Sequence, residues 1–417
     1  MARPGEIVEL EVERPAAGGR MIARHEGAVV FVAGAIPGER VRARIEKVQR
    51  GTVFARTVDV LTPSPDRIEP APGLACGGHV LAHITPARQA LLKGEIVADA
   101  FRRQAKITLP AVPVVSGPAD GYRLRARAHV RHGRWGFFEE GSHTPCGIAG
   151  SRQLGDAGAE VCERVCAAVA AAAPDAQAEV EWVESVDGAQ AAAHAHLSSG
   201  TWARVPAPLA GLRGLSVSDT RHPRDTQVAG EPYVVDTIAG VAGETPVRHH
   251  VRAFFQGNRF LLQPLVDAVV SRVRADHVAD LYAGVGLFSL ALAHPDRTID
   301  AVEGDAVAAQ DLTANAARLG AVRAVHRAVE RFVHEADLAR YGAVVVDPPR
   351  AGLAVEVVTA LTAARVPAIV YVSCDPVTLA RDLRAFAAAG YDIEGVQAFD
   401  LFPRTAHVET VVTLTRR

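Results

Sequence analysis

The 417-residue sequence lacks any uninterrupted apolar run of the about 18 residues that a membrane-crossing helix requires. Its opening, Met1-Ala-Arg-Pro-Gly-Glu-Ile7, lacks the apolar centre of a secretory signal. Both absences lead to the expectation of a cytoplasmic protein with no membrane partner. Cysteine is also scarce: five residues, at 76, 146, 162, 166 and 374, are too few and too irregular for a disulfide framework, so free thiols are expected. The formal net charge is only −2, which removes any global electrostatic argument for nucleic acid and leaves local basic surfaces to be found one by one. What is present, 49% hydrophobic and 22% charged residues, is the balance of a soluble globular protein. The length calls for two or three domains rather than one core, and a chain with that many is expected to act as a monomer.

Residues 1–66 alternate with period two. Val8, Leu10 and Val12 are interleaved with Glu9, Glu11 and Glu13, and Val41, Ala43 and Ile45 with Arg42, Arg44 and Glu46. Glycines at 18, 19, 27 and 38 punctuate these strands, and a small closed β-barrel leaves them the fewest open edges. The prolines of Leu61-Thr-Pro-Ser-Pro65 end the barrel near residue 66. Residues 67–245 read as a small α+β domain. It opens with a helix over 91–105, whose apolar Leu92, Ile96, Val97, Ala100 and Phe101 share one side and are expected to pack on the C-terminal domain. A strand over Tyr122–Arg131 then sets Arg123, Arg125, Arg127, His129 and Arg131 on one face. No acid interrupts this stripe, so it is expected to follow RNA phosphates; the solvated face of an antiparallel sheet has the same pattern. Mixed strands and helices from about residue 178 to 236 carry no legible chemistry.

From residue 246 the pattern is α/β. A helix is expected near Pro264, with short apolar strands over 278–281, 298–302, 342–346 and 368–372, which implies a parallel-type, Rossmann-like sheet covered on both faces. Ligands of such sheets bind at the carboxyl ends of the strands, and the candidate residues fall there. Gly284 and Gly286 permit a tight turn after the first strand, and Glu303 ends the next one at a spacing suited to ribose hydroxyls. This pair admits a nicotinamide dehydrogenase as readily as a methyltransferase. Asp347-Pro-Pro-Arg350 adds a carboxylate and a rigid turn. A lone cysteine is usually a small buried hydrophobe, but Cys374 follows a strand at the same edge and reads as a nucleophile. Glu409, at the start of the strand over 410–414, reads as a base. A thiolate adding to carbon 6 of uracil makes carbon 5 nucleophilic enough to take a methyl group, after which a base removes the carbon 5 proton.

These motifs together resemble the RNA 5-methyluridine methyltransferase family, whose members act on tRNA or 23S rRNA. Val30-Phe-Val-Ala-Gly-Ala-Ile-Pro-Gly-Glu39 and Leu61-Thr-Pro-Ser-Pro65 resemble its TRAM domain, an RNA-binding oligonucleotide-fold barrel. Phe254-Phe-Gln-Gly-Asn258 resembles the motif whose glutamine contacts S-adenosylmethionine. The resemblance implies a class I methyltransferase domain over 246–417, with Gln256, Tyr282, Gly284, Gly286, Glu303 and Asp347 at the cofactor, Cys374 as nucleophile and Glu409 as base. Leu287 stands where the family commonly has asparagine. The iron-sulfur motif Cys-x5-Cys-Gly-Gly-Cys is also degraded: Pro70 and His79 occupy the first and third positions around Cys76, and the fourth falls near Ser151 rather than Cys146. No cluster and no other metal are expected. The alternatives are a base methyltransferase that alkylates an exocyclic nitrogen without a covalent intermediate, and an RNA-binding paralogue with a decayed site.

Overall fold

The computed structural model describes residues 3–70, 76–199, 202, 209–221 and 227–417. Strands β1 (Ile7–Pro15), β2 (Met21–His25), β3 (Ala28–Ala33), β4 (Arg40–Gln49) and β5 (Thr52–Thr62) close into a barrel of order β1-β2-β3-β5-β4. The period-two pattern directs the outcome, because Val8, Leu10, Val12, Val41, Ala43 and Ile45 fill the barrel while their charged neighbours face water. Arg67 locks the barrel to the segment that follows it. Its guanidinium donates to both oxygens of the buried Glu39 at 2.6 Å, and Ile36 and Ser64 donate their backbone N–H groups to the same carboxylate.

Helix α1 (Pro86–Ala100) begins earlier than the apolar periodicity predicts, since proline suits a first helical turn, and it continues into a single π-helical turn over Phe101–Ala105. Leu92 enters the barrel core, whereas Val97, Ala100 and Phe101 enter a core of the C-terminal sheet. α1 is therefore a strut shared by two cores. After it, β6 (Val114–Val115) joins the far edge of the C-terminal sheet.

A seven-stranded sheet follows, from β7 (Arg125–Arg131), β8 (Arg134–Phe138), β9 (Pro145–Cys146), β10 (Ala178–Glu184), β11 (Ala191–Leu197), β12 (Gly214–Ser218) and β13 (Gln227–Gly230), in the order β13-β12-β11-β10-β7-β8-β9. Helix α2 (Asp156–Ala172) packs on one face through Cys162, Val165, Cys166 and Val169. This sheet resolves much of the stretch over 178–236, of which residues 200–201, 203–208 and 222–226 lie outside the described residues. The hairpin β14 (Tyr233–Gly240) and β15 (Gly243–His250) leads into the C-terminal domain.

There the strands β16 (His277–Leu281), β17 (Thr298–Glu303), β18 (Val322–His326), β19 (Ala343–Val346), β20 (Ala368–Ser373), β21 (Tyr391–Phe399) and β22 (Glu409–Arg416) are ordered β18-β17-β16-β19-β20-β22-β21-β6. β16 to β20 are parallel, as their continuous apolar character predicts, and β22 inserts antiparallel between β20 and β21. β18 and β21 escape an apolar-run reading because Arg323, His326, Asp392, Glu394 and Gln397 interrupt them. Helices α3 (Leu262–Val270), α4 (Leu287–Leu292), α5 (Ala306–Ala316), α6 (Val329–Glu335), α7 (Val355–Ala363) and α8 (Pro376–Ala388) connect the strands, and separate cores form on the two faces of the sheet.

Candidate active site

Cys374 follows the last residue of β20, and Glu409 begins β22. The antiparallel pairing of Ser373 with Thr410 brings these two residues, 35 positions apart in the chain, to one edge of the sheet. Asp347 follows β19 at the same edge, its N–H donating to the Leu281 carbonyl at 3.3 Å. Asp375 caps α8 by accepting from the N–H groups of Val377 and Thr378 at 2.8 and 3.0 Å, which fixes the turn that carries Cys374. The Asp-Pro-Pro-Arg turn is held from behind: the Asp382 carboxylate accepts from the Leu353 N–H and the Tyr371 hydroxyl, each at 2.8 Å, and Thr378 donates to the Arg350 carbonyl at 3.1 Å.

Beside this group lies a backbone cradle. Tyr282 has φ +62°, Gly284 φ +57° and Gly286 φ +97°, so three left-handed residues wind the chain from β16 into α4. A side chain at 286 would meet Leu312 at 2.8 Å, whereas one at 284 would have only the Phe254 carbonyl oxygen, at 3.8 Å, within 4 Å. Gly284 is therefore the open side of the turn. Glu303 reaches across from β17, accepting from the Gly284 N–H at 2.8 Å and the Asp305 N–H at 2.6 Å. The Tyr282 hydroxyl donates to Glu330 at 3.0 Å. Gln256 is buried and donates to Asp347 at 3.3 Å. Leu287 packs in the core at the start of α4.

The electrostatics of the cleft are unbalanced. Burial and the charge of Asp280 push Asp347 up to about 8. Burial pushes Asp280 to about 7, although Ser289 donates to it at 2.5 Å. Glu409 is held well above the usual carboxyl range by burial and by Asp347. One oxygen each of Asp280 and Glu409 is buried with no hydrogen-bond partner. Burial, Glu409 and Asp347 together raise the Cys374 thiol to about 11, against the pull of Arg350. Asp280 and Arg350 are members of the cleft that sequence patterns alone do not single out. Asp280 lies within an apolar strand, and Arg350 is notable in the sequence only as the residue after two prolines.

Two expectations are corrected. The basic stripe alternates as predicted along β7, but its apparent freedom from acid is lost across the sheet, where β10 aligns Glu181 with Arg127 and Glu179 with His129. Arg127 pairs with Glu181 at 2.7 Å and Glu179 at 3.5 Å. The Arg125 guanidinium is buried against the Val251 carbonyl, which lowers its pKa to about 10. His129 stacks on Phe138 at 3.7 Å. Arg123 precedes the strand and bonds to Gln153 and the Arg125 carbonyl. Arg131 lies over the Phe138 ring at 5.0 Å, and like Arg123 and Arg125 it has no carboxylate partner among the described residues. The middle of the stripe, at Arg127 and His129, thus faces acids of its own sheet, while Arg125 is drawn inward. The second correction concerns cysteine: Cys76 and Cys146 form a disulfide, leaving Cys162, Cys166 and Cys374 free. Cys146, rather than Ser151, is therefore the residue seated against Cys76, and the buried His79 has no hydrogen-bond partner at either ring nitrogen.

Comparison with known proteins agrees with this architecture. Residues 221–417 match the tRNA (Uracil-5-)-methyltransferase family, and residues 2–58 match the TRAM domain. The chain is 33% identical to an RNA methyltransferase of Streptomyces avermitilis over 98% of each chain. It is 31% identical to the 23S rRNA (uracil(1939)-C(5))-methyltransferase of Chromohalobacter salexigens, covering 98% of this chain and 89% of that one. In fold it is similar to the Pyrococcus abyssi tRNA (uracil-54, C5)-methyltransferase, with a TM-score of 0.75 at 22% identity, over 97% of this chain and 99% of that one. The barrel, the doubly wound sheet and these full-length likenesses lead to one conclusion: the chain belongs to the RNA (uracil-5-)-methyltransferase family and is an enzyme of that class.

Proposed function

We propose that this enzyme methylates carbon 5 of a uridine in structured RNA, either tRNA or 23S rRNA, through transient covalent addition of Cys374, with S-adenosylmethionine as methyl donor. One observation carries the reading: a thiol and three buried carboxyl groups crowd one sheet edge, where burial and their mutual repulsion push all four toward the protonated form and a bound cation would favour their ionised forms. A sulfonium ligand with an ammonium group complements such a cleft. Gln256, Asp347, Glu303 and the turn through Tyr282, Gly284 and Gly286 would hold it, as the family resemblance implies. The Pyrococcus abyssi enzyme was solved with S-adenosyl-L-homocysteine, the demethylated form of that donor. When bound, the donor supplies an electrophilic methyl group.

The residues of the chain account for the remaining steps. The Cys374 sulfur, ionised beside Arg350, bonds to carbon 6 of uracil, and the carbon 5–carbon 6 electron pair moves toward oxygen 4. Carbon 5 then takes the methyl group, whose former bonding pair would stay on the donor sulfur as a neutral thioether. Because the charge of Asp347 helps keep Glu409 protonated, a cation held against Asp347 lets Glu409 ionise and accept the carbon 5 proton. The carbon 6–sulfur bond breaks as the double bond re-forms, returning Cys374 as thiolate. The target base must leave its stack to reach this edge, which costs least in a loop.

RNA contacts are supported by the barrel. Phe31 and Phe54 stack at 5.6 Å, with Lys47 at 4.8 Å and Arg20 at 5.7 Å over the Phe54 ring, a half-buried aromatic and basic platform suited to unpaired bases. Arg131 adds a further cation. An iron-sulfur cluster does not fit the residues present. Cys76 is bonded to Cys146, the other cysteine positions are Pro70 and His79, and among the described residues no three potential metal ligands converge.

The test uses RNA transcripts carrying 5-fluorouridine, whose fluorine blocks the final proton removal. With S-adenosylmethionine, wild-type protein is expected to form an adduct that survives denaturing electrophoresis and maps to Cys374. Cys374→Ala should form none, and Glu409→Gln should accumulate methylated adduct on ordinary uridine. Methylation by Cys374→Ala at the wild-type rate would refute the covalent route.

A further inference from the structure

Away from the cleft, a second polar cavity of about 360 Å³ opens between the end of α5, the β14–β15 hairpin and the segment before β12. Three guanidiniums, those of Arg213, Arg248 and Arg318, line it. Tyr233 lies between two of them, with Arg213 at 4.7 Å and Arg248 at 4.3 Å from its ring centroid. Arg213 is fully engaged: its donors meet Glu231 and the Gln190 side chain. Arg248 is engaged only through Nε, which donates to Asp311 at 2.8 Å, so both its terminal amino groups are left without acceptors among the described residues. Arg318 has no carboxylate or hydrogen-bond partner among the described residues. Against three cations stand two carboxylates, Glu231 and Asp311, and the second is turned toward the His250 N–H.

The cavity is built rather than incidental. Asn315 accepts from the Arg248 N–H at 3.0 Å and donates to the Arg248 and Val285 carbonyls at 2.8 and 2.9 Å. One side chain therefore ties the cavity wall to the turn that winds into α4. The chain also runs from β15 directly to Gln256, so the cavity wall and the cleft share one backbone segment. Free donors on two fixed guanidinium-bearing segments, with a surplus positive charge, fit a tetrahedral oxyanion. We propose that Arg248 and Arg318 form a phosphate subsite that grips one phosphodiester of the RNA substrate outside the catalytic cleft, an inference that rests on the RNA-methylating reading above.

The experiment measures equilibrium binding of the transcript that gives the Cys374 adduct, without methyl donor, across a KCl series. Arg318 is exposed, so Arg318→Ala should leave the fold intact. Its plot of log affinity against log salt should be shallower than wild type by roughly 0.7–0.9, the loss of one phosphate contact. Arg318→Lys should restore most of the slope, and Arg274→Ala, an exposed arginine before β16, should match wild type. A wild-type slope in Arg318→Ala would overturn the subsite, as would an equal loss in Arg274→Ala. Titration with inorganic phosphate separates the remaining case, since phosphate binding lost in Arg318→Ala with an unchanged RNA slope would make this a small-anion site and overturn its assignment to RNA. RNA that binds with no Cys374 adduct would count against the reaction reading alone, and the slope would still judge the subsite.

Discussion

Cys374 sits under opposing influences that set when it can react. Burial, Glu409 and Asp347 raise its thiol to about 11, and the neighbouring Arg350 guanidinium lowers it. In the proposed mechanism the thiolate is the nucleophile, so RNA turnover in wild type should climb with pH as Cys374 ionises. Removing the Arg350 cation removes an influence in the thiolate's favour, which fixes the sign. Arg350→Gln should move the alkaline limb of kcat/KM for RNA to higher pH, with a lower rate at neutral pH. Single-turnover methyl transfer over a pH series checks this, and an unmoved limb would mean that Arg350 does not act on the thiol. At this scale Cys374 and Glu409 are legible in the sequence because each adjoins a strand. The influence of Arg350 is not, because it depends on the turn after β19 lying beside the turn after β20.

Among elements, the segment between β21 and β22 decides where Glu409 stands, and it is held from outside its own sheet. Asp400 forms an ion pair with the fully buried Lys93 of α1, and Lys93 also donates to the Phe402 carbonyl at 3.0 Å. Gln89 accepts the Arg404 N–H at 2.9 Å, and Asn258 donates to the Leu401 carbonyl at 2.9 Å. Burial lowers the Lys93 pKa and raises that of Asp400, so each charge depends on the other. Lys93→Met alone should cost about 3–5 kcal/mol, because it strands a buried carboxylate, and Lys93→Met with Asp400→Leu should recover most of it. Urea unfolding of the two variants distinguishes a true pair from a lysine that only fills space, for which the double variant would be worse than the single. The apolar face of α1 is readable from periodicity. The partner of Lys93, more than 300 residues away in the chain, is not.

Across the whole molecule, covalent and non-covalent ties join segments that the sequence presents as separate. The Cys76–Cys146 bond closes 70 residues and fastens the segment before α1 to the edge of the central sheet. Protein purified without reductant and then denatured should titrate three thiols, rising to five after reduction. Five thiols before reduction would mean that the two cysteines are not bonded. By itself the sequence determined the barrel, the doubly wound sheet and the order of residues along its reactive edge. Those features follow from local rules, namely the period of apolar residues and the preference of glycine and proline for turns. Only the tertiary structure decided which charges meet. Glu179 and Glu181 meet Arg127 and His129 of the β7 stripe through strand register, Asp280 and Arg350 join the cleft, Lys93 finds Asp400, and Cys76 finds Cys146. Coulombic and covalent partnership depends on distance in space, and residues far apart in the chain acquire that distance only when the sheets have closed and packed.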